Sequence, residues 1–281
     1  MIDKERLIED AIKLAFEEDL GDGDHSSLAC IDYSEISKAV LLVKEEGVLA
    51  GVEIAKKVFD TFGEFEFEFF LKDGDLVKPG DKAFTVKGSA IGILSCERLA
   101  LNIMQRMSGI ATRTASLIKL IGGTKTKLLD TRKTTPNFRV FEKEAVLIGG
   151  GFNHRFALYD MIMLKDNHID YAGGIKEALL KTKKYLSERS KDLRVEIEVR
   201  DLKELEEALS VGNFNRVMFD NFTPMETVKA LQMVAGEYET ESSGNINEKT
   251  IKDYALTGVD FISVGALTNQ VKSLDLSLKA F

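Results

Sequence analysis

The sequence has few cysteines and no long apolar segment. Only two cysteines, Cys30 and Cys96, occur among the 281 residues, and they lie far apart. This count argues against a disulfide framework or a cysteine-based metal site, and it favours a reducing compartment. No window approaches the roughly 18 uninterrupted apolar residues that a membrane-spanning helix requires. We therefore expect a protein that neither depends on disulfide bonds nor associates with a membrane.

The sequence also lacks a secretory signal and an excess of positive charge. The first residues, Met1–Arg6, are mostly charged and contain no apolar signal-peptide segment, so we expect a cytoplasmic protein. Lys and Arg together number 38 against 46 Asp and Glu, which gives a formal net charge of -8. This balance argues against general nucleic-acid binding. The cations that are present are concentrated locally, which favours a small anionic ligand.

Three short polar clusters contain the cations that are candidates for ligand binding. They lie in Leu129–Pro136, Gly149–Arg155 and Leu164–His168. The cationic side chains in these clusters are Arg132, Lys133, His154, Arg155 and Lys165. Their grouping predicts an anion site. The alternative is a set of ordinary solvated loops, since Lys and Arg are usually exposed and a glycine triplet commonly ends a helix.

The spacing of apolar residues predicts both helices and strands in the N-terminal part of the chain. We expect helices over Arg6–Leu20 and Gly51–Phe62, and strands over Ser37–Glu45 and Glu64–Leu71. In the last of these strands phenylalanine alternates with glutamate, which predicts one buried and one solvated face. From Ser89 to Ile121 the pattern predicts a long apolar helix, or a pair of helices broken near Ser108-Gly109.

After Ile121 short apolar runs alternate with helical patterns. The runs are Lys127–Leu129, Met161–Leu164, Val195–Val199, Val217–Phe219, Tyr238–Glu239 and Phe261–Val264. Tyr238–Glu239 is weak and polar, and it is included because the spacing of the other runs requires a strand there. The helical patterns are Phe138–Ile148, Ile175–Ser187, Leu202–Leu209, Met225–Ala235 and Ile246–Ala255. Six alternations of this kind indicate a parallel sheet covered by helices.

Polar residues or glycines follow each of the six predicted strands. They are Asp130 to Lys133, Lys165, Glu198, Asp220, Ser242 to Gly244, and Gly265-Ala266. The strands of an α/β barrel have their carboxyl ends on one rim, where active sites form, whereas an open doubly wound sheet binds ligands mainly at one switch point. Six such ends favour a closed or nearly closed barrel. The last two ends suit a phosphate site, although ordinary turns have the same composition.

The clusters resemble the motifs of the quinolinate phosphoribosyltransferase family (nicotinate-nucleotide pyrophosphorylase, decarboxylating). Leu129–Pro136, Gly149–Arg155, Lys165–His168 and Phe261–Leu267 occur in the order of that family's motifs. Glu18–Asp24 resembles its N-terminal signature, and Ser108–Thr112 resembles its helix before the barrel. The resemblance spans nearly the whole chain.

The resemblance implies an α/β fold with two domains and a shared active site. An N-terminal α/β sandwich is expected over residues 1–112, with 269–281 returning to it. An incomplete six-stranded parallel α/β barrel is expected over 113–268. The family assembles as a homodimer or a higher oligomer, and the likeness implies that Arg98 reaches the site of the partner subunit. From the residues alone, Arg98 is only a probable surface arginine.

The resemblance also implies a reaction in NAD biosynthesis. Quinolinate and phosphoribosyl pyrophosphate, with Mg²⁺, would give nicotinate mononucleotide, pyrophosphate and CO2. Quinolinate has two carboxylates, and the sugar donor carries roughly five negative charges near neutral pH. Burying one uncompensated carboxylate costs on the order of tens of kcal/mol. Arginine binds planar carboxylates bidentately and lysine suits phosphate, so the cationic clusters match these substrates.

Each candidate residue has an expected role under this resemblance. The quinolinate carboxylates would be bound by Arg98, Arg132, His154 and Arg155, with Thr131 also at the substrate. Lys133 and Lys165 would contact the pyrophosphate and the reacting centre, while Glu198 and Asp220 would face the ribose or order Mg²⁺ without a firmly predicted direct metal ligand. The 5′-phosphate would be bound by Ser243, Gly244, Asn245, Val264, Gly265 and Ala266. The residues expected to act in catalysis are Lys133, Lys165, Glu198 and Asp220.

Two departures from the family pattern and two rival functions stay open. Asn137 and Asn245 stand where the family usually has glycine, and asparagine tolerates left-handed backbone better than most residues. A related phosphoribosyltransferase could use another ring acid such as nicotinate. A non-catalytic anion-binding protein could use the same scaffold. His168 could equally make a structural hydrogen bond at its turn or take part in catalysis.

Overall fold

Helices and strands alternate along the chain in the computed structural model, which describes residues 3–281. The helices are α1 (Lys4–Leu20), α2 (His25–Cys30), α3 (Val52–Phe62), α4 (Ala90–Leu120), α5 (Arg139–Ile148), α6 (Asp166–Ala172), α7 (Ile175–Glu188), α8 (Leu202–Val211), α9 (Pro224–Val234), α10 (Ile251–Leu256) and α11 (Ala266–Asn269). The strands are β1 (Ile36–Val43), β2 (Gly47–Val48), β3 (Glu66–Phe69), β4 (Leu76–Val77), β5 (Lys82–Ser89), β6 (Lys127–Leu129), β7 (Ile162–Leu164), β8 (Val195–Val199), β9 (Arg216–Asp220), β10 (Glu239–Ser243), β11 (Phe261–Ser263) and β12 (Leu276–Ala280).

The chain divides into two compact units. The first contains the described part of Met1–Ala115 together with Lys133–Gly150 and Leu267–Phe281, and the second contains Ser116–Arg132 and Gly151–Ala266. This division follows packing and assigns α5 to the first unit. The domain boundaries implied by the resemblance stay a prediction. No helix within residues 3–281 has both the length and the apolar character that a membrane crossing requires.

The main sheet of the first unit is antiparallel, with strand order β12-β1-β5-β3. The strand nearest the end of the chain, β12, pairs with β1 and places Leu278 opposite Leu41. Phe59 and Phe84 are fully buried, and both contact the ring of Phe67 at centroid distances of 5.5 Å. The predicted burial of the phenylalanine face of β3 is only partly confirmed. Phe67 is half-buried, but Phe69 is 41% exposed because β3 is the edge strand.

Of the two alternatives for this segment, the single long helix is confirmed and the break near Ser108-Gly109 is wrong, since α4 runs without interruption from Ala90 to Leu120. The small residues serve close packing instead. The Ser108 hydroxyl accepts a hydrogen bond from the Ala50 N–H at 2.9 Å and donates to the Ala50 carbonyl at 3.1 Å. A Cβ on Gly109 would lie 2.3 Å from the carbonyl oxygen of Lys272. The small residues Ser108 and Gly109 therefore indicate close contacts with segments that are distant in sequence, not the end of a helix.

The second unit contains a six-stranded parallel sheet in the order β6-β11-β10-β9-β8-β7. Among the described residues no hydrogen bonds join β6 to β7, so the barrel is open between these strands. The predicted α/β fold with an incomplete six-stranded parallel barrel is confirmed. The helix expected over Ile246–Ala255 is shorter, since α10 begins at Ile251. Before it, the Asn247 side chain accepts from the Lys249 N–H at 3.0 Å and forms a local turn.

Side chains of this sheet alternate between an apolar face and a charged face. The apolar face includes the buried residues Val195, Ile197, Val217 and Phe219. The opposite face includes Glu196, Glu198, Arg216 and Asp220. The strand register sets Glu196 beside Arg216, and Arg216 beside Glu239. The fold therefore places charged side chains next to one another on one face of the sheet.

Candidate active site

Lys165 and Glu198 form an ion pair at the carboxyl ends of adjacent strands. Lys165 directly follows β7, and the register pairs Leu164 with Ile197, so the two side chains meet. The Lys165 Nζ lies 2.5 Å from Glu198 Oε2, with the lysine side chain 42% exposed and that of the glutamate 9% exposed. A buried carboxylate thus holds an ammonium group at an accessible edge. Such an ammonium group can contact a phosphate or carboxylate oxygen of a ligand.

Asp220 lies on the strand next to Glu198 and on the same face. It ends β9, is half-buried, and accepts a hydrogen bond from the Asn221 side-chain amide at 2.8 Å. Because Glu198 pairs with Met218, the carboxylate of Asp220 is two residues further towards the strand end. Two carboxylates therefore follow each other along the rim, and both can accept hydrogen bonds from hydroxyl groups.

Arg132 and Arg155 are close enough for their charges to interact. Burial, and then the positive charge of Arg132, lower the pKa of Arg155. Arg155 Nη1 donates to the Met161 carbonyl at 3.1 Å. The Nε of Arg132 is buried and has no acceptor anywhere in residues 3–281. Two adjacent guanidinium groups, one with a buried donor lacking an acceptor, can bind a planar dianion.

His154 is buried rather than exposed at the rim. Its backbone N–H donates to Asp130 Oδ1 at 2.8 Å, and its ring Nδ1 accepts the Arg155 N–H at 2.7 Å. Its Nε2 lies 3.1 Å from Glu196 and 3.5 Å from Glu241. Burial lowers the pKa of the His154 imidazole, but these two carboxylates more than offset that effect and raise it to about 9.

Glu196 and Glu241 share the arginine Arg216. Arg216 Nη1 lies 3.0 Å from Glu241 and 3.7 Å from Glu196. Burial and the neighbouring Glu241 charge raise the pKa of Glu196. Burial alone would raise the pKa of Glu241 too, but the contacts with His154 and Arg216 lower it overall. The second unit therefore contains a buried cluster of one histidine, two glutamates and one arginine, which we call the buried charge cluster.

The turn after β10 has the small size and the backbone conformation expected of a phosphate site. Ser243 and Gly244 are half-buried, and Asn245 is exposed. Gly244 has φ +94°, and a Cβ there would lie 2.3 Å from the side-chain oxygen of Asn221. Asn245 has φ +53°, and its side-chain amide donates to Asn221 at 2.9 Å. The turn therefore packs tightly against Asn221.

The turn after β11 offers backbone rather than side-chain groups. The Val264 N–H donates to the Leu129 carbonyl at 3.1 Å, and its side chain is 3% exposed. Gly265 and Ala266 are half-buried. Any contact of this turn with a phosphate would therefore involve Gly265 and Ala266 more readily than Val264.

In the first unit, a buried carboxylate holds the loop that begins with Lys133. Glu142 is fully buried on α5 and accepts hydrogen bonds from Thr135 N–H at 3.1 Å and from Thr135 Oγ1 at 2.9 Å. It also lies 2.8 Å from Arg106 Nη2. Thr268 Oγ1 donates to the Lys133 carbonyl at 2.8 Å. Lys133 is an exposed residue whose backbone is held by this contact.

The remaining predicted positions differ in exposure. Arg98 is exposed on α4, and Thr131 is half-buried. His168 is exposed, and its Nδ1 accepts the Lys165 N–H at 3.1 Å, which caps the start of α6. The structural alternative for His168 therefore has direct support. Asn137 has φ +60°, so the predicted tolerance of left-handed backbone at this asparagine is confirmed.

Several residues of the site region are absent from the sequence predictions. They are Glu196, Arg216, Glu241, Asn221, Glu142 and Arg106. The first three carry a recognisable pattern, because charged residues stand two or four positions apart, and so on one face, inside β8, β9 and β10. A fully buried parallel strand is usually apolar throughout, so charges on one face indicate a polar inner face. No local pattern marks Asn221, Glu142 or Arg106.

Two groups of side chains in the second unit have the chemistry of metal ligands. The ligand atoms of His154, Glu196 and Glu241 lie within 4.8 Å of one another, but the guanidinium of Arg216 already supplies positive charge there. Glu198 and Asp220 offer carboxylate oxygens at the rim, and oxygen is the ligand that Mg²⁺ prefers. The half-buried Asp220 fits such an ion better than the buried charge cluster does.

An open α/β barrel with arginine, lysine and carboxylate side chains at its strand ends is typical of a barrel enzyme that acts on an anionic ligand. Protein-family models identify the class further. The N-terminal domain of quinolinate phosphoribosyl transferase matches residues 24–108, and the C-terminal domain of the same enzyme matches residues 110–279. The chain therefore belongs to the quinolinate phosphoribosyltransferase family, and the family predicted from its motifs is confirmed.

Individual relatives are similar over nearly the whole chain. A chloroplastic nicotinate-nucleotide pyrophosphorylase of Arabidopsis thaliana is 43% identical, with 95% of this chain and 81% of the relative covered. A probable nicotinate-nucleotide pyrophosphorylase of Bacillus subtilis is 39% identical, with coverages of 94% and 90%. The crystal structure of NadC from Streptococcus pyogenes superposes with a TM-score of 0.91 at 42% identity, covering 97% of this chain and 95% of that one.

Proposed function

We propose that the protein transfers the phosphoribosyl group of phosphoribosyl pyrophosphate to the ring nitrogen of quinolinate. The products are nicotinate mononucleotide, pyrophosphate and CO2. The observation that carries this proposal is the pair of Arg132 and Arg155. Their interacting charges, and the buried Arg132 Nε without an acceptor, suit a substrate with two carboxylates. A monocarboxylate such as nicotinate would leave one guanidinium without its anion.

The roles of the other residues follow from their chemistry. We assign the carboxylate site to Arg132, Arg155 and His154, with Thr131 beside them and Arg98 supplied by a partner subunit. Lys133 and Lys165 contact the pyrophosphate and the reacting centre. The 5′-phosphate is assigned to Ser243, Gly244 and Asn245 and to Val264, Gly265 and Ala266.

Catalysis in this proposal depends on positioning and electrostatics. The pyridine nitrogen attacks the anomeric carbon, so no covalent nucleophile of the protein is needed. Glu198 and Asp220 accept hydrogen bonds from the ribose hydroxyls and stabilise positive charge at that carbon. Glu198 also holds the Lys165 ammonium, at 2.5 Å. When Mg²⁺ accompanies the sugar donor it neutralises pyrophosphate charge, and Glu198 and Asp220 are the carboxylates that would hold it.

Assembly and compartment belong to the same proposal. We expect a homodimer, because Arg98 is exposed on α4 and can extend to a second chain. We expect a cytoplasmic or comparably reducing location, since Cys30 and Cys96 are both free thiols.

The test mixes the pure protein with quinolinate, phosphoribosyl pyrophosphate and Mg²⁺ and follows nicotinate mononucleotide and CO2. Equal amounts of both products support the proposal. Turnover of nicotinate but not of quinolinate would show that nicotinate is the substrate. Tight binding of quinolinate without turnover would favour an anion-binding protein.

A charge reversal tests the carboxylate site directly. Arg132→Glu should abolish quinolinate binding in calorimetry, because a carboxylate would face the substrate's own carboxylates. Its urea midpoint should stay near that of the wild type, and Arg189→Glu, at the exposed end of α7, should bind normally. Normal quinolinate affinity of Arg132→Glu would contradict the assignment.

A further inference from the structure

Three members of the buried charge cluster, Glu196, Glu241 and Arg216, have no role in the proposed chemistry, although they surround His154, which is assigned to the carboxylate site. The cluster comprises His154, Glu196, Glu241 and Arg216, each at most 9% exposed. Ionised side chains are costly to bury unless they are paired, so a fold that keeps four of them together requires an explanation.

The register of the parallel sheet creates the cluster. Glu196 of β8 pairs with Arg216 of β9, which pairs in turn with Glu239 of β10. Glu241 follows Glu239 by two residues and therefore lies on the same face. The guanidinium of Arg216 also lies 4.0 Å above the ring of Phe261. Arg216 is thus fixed by strands on both sides and by an aromatic face.

Only one edge of the Arg216 guanidinium binds the two glutamates that contact His154. Its Nη1 is directed to Glu241 and Glu196, at 3.0 and 3.7 Å. Its Nε and Nη2 bind Glu239 at 3.1 and 3.0 Å on the opposite edge. Glu239 therefore offers a matched comparison, because it binds the same arginine without contacting His154.

The His154 ring lies between the two glutamates and the backbone of Arg155. Because Nε2 faces Glu196 and Glu241, Nδ1 points the other way and accepts the Arg155 N–H at 2.7 Å. An acceptor at Nδ1 leaves the ring proton on Nε2, beside Glu196. Because Nδ1 acts as an acceptor, a further proton taken up by this pair resides on the Glu196 carboxyl, whose pKa is raised by burial and by Glu241. The backbone at Arg155 is fixed through the ring.

We infer that Glu196, Glu241 and Arg216 are positioning residues for quinolinate: they hold the His154 ring, and through its Nδ1 the backbone of Arg155, in the orientation that binds the substrate carboxylates. This inference rests on the proposed function. It predicts that the three residues affect quinolinate binding selectively, because they act through the His154 ring and the Arg155 backbone.

The kinetic test compares Glu196→Gln and Glu241→Gln with the control Glu239→Gln. We expect the first two variants to raise KM for quinolinate by about tenfold or more, with KM for phosphoribosyl pyrophosphate changed by less than about twofold. Glu239→Gln should change neither constant beyond about twofold. Equal increases of both constants in all three variants would reduce the cluster to a general structural role and overturn the inference.

A second measurement does not depend on turnover. The chain has 3 histidines, so the imidazole nitrogens of ¹⁵N-histidine-labelled protein can be assigned with His25→Gln and His168→Gln variants. We expect His154 to show one protonated ring nitrogen and one unprotonated acceptor nitrogen, and this difference to collapse in Glu196→Gln and Glu241→Gln but not in Glu239→Gln. Unchanged His154 signals in the first two variants would overturn the inference. If the wild type did not turn over quinolinate, the proposed reaction would be wrong. The NMR signals of His154 would still show whether Glu196 and Glu241 orient its ring.

Discussion

At the level of single residues, the turn after β10 depends on backbone conformations that few residues tolerate. Gly244 has φ +94°, and a Cβ there would meet Asn221 Oδ1 at 2.3 Å and Asn221 N at 3.0 Å. Gly244→Ala therefore adds a steric clash to backbone strain. We expect a destabilisation of roughly 2–4 kcal/mol and a KM for phosphoribosyl pyrophosphate raised by about tenfold.

The matched control for this substitution is Gly236→Ala. Gly236 has φ +80° but no atom within 4 Å of its would-be Cβ, so only the strain is introduced. Gly236→Ala should lower the free energy of unfolding, measured by urea denaturation, by on the order of 1 kcal/mol and leave KM for phosphoribosyl pyrophosphate unchanged. Equal effects of the two substitutions would show that the contact with Asn221 is unimportant.

A second residue-level consequence concerns pH. The pKa of His154 is raised from 6.5 to about 9 in the folded chain, so folding takes up a proton between these values, and because Nδ1 accepts the Arg155 N–H this proton resides on the Glu196 carboxyl beside Nε2. The corresponding stabilisation is complete below the unfolded pKa and is lost as pH rises through the folded pKa. We expect the free energy of unfolding to fall by on the order of 2 kcal/mol across this range. Urea titrations should show this slope in His25→Gln and a much shallower one in His154→Gln, whereas parallel curves for wild type and His154→Gln would contradict the assignment.

At the level of elements, the loop after β6 is held by α4 and α5 rather than by its own sequence. Glu142 on α5 accepts hydrogen bonds from Arg106 and Thr135 and is fully buried. Glu142→Gln leaves Arg106 without its anion. We therefore expect the free energy of unfolding to fall by about 3 kcal/mol, and binding of the substrate by Lys133 to weaken. Glu144→Gln, which removes an exposed ion pair with Lys4, should cost less than about 0.5 kcal/mol in the same urea titration. A similar cost for both variants would exclude a special role for Glu142.

The same elements show which features a sequence can predict. Five of the six parallel strands were predictable because each contains a short apolar run followed by polar residues or glycine, whereas the polar β10 was expected only from the spacing of the others. The sequence could not decide between one long helix and a broken pair at α4, since Ser108 and Gly109 are small because they contact Ala50 and Lys272, which are distant in sequence. The buried charge cluster depends on the register of β8, β9 and β10, and register becomes visible only when the strands pair.

At the level of the whole molecule, the proposed sharing of Arg98 between subunits makes a quantitative prediction. Arg98→Ala and Lys165→Ala should each be inactive alone. In a mixed dimer, the Lys165→Ala subunit would donate its intact Arg98 to the Arg98→Ala subunit, which retains Lys165, so one complete site forms. Random reassembly of equal amounts should therefore restore about a quarter of the wild-type activity, because about half of the dimers are mixed and each has one complete site of two.

The control mixes two variants that each lack a residue which a chain supplies to its own site and not to its partner's. Arg132→Ala mixed with Lys165→Ala leaves every site of every dimer defective, so no activity should return. Subunit exchange is verified separately by mass spectrometry of differently tagged chains. If mixed dimers of Arg98→Ala and Lys165→Ala form but stay inactive, Arg98 does not complete a neighbouring site. The arginine would then be a surface residue of α4, and the carboxylate site would have to bind quinolinate with Arg132 and Arg155 of one chain.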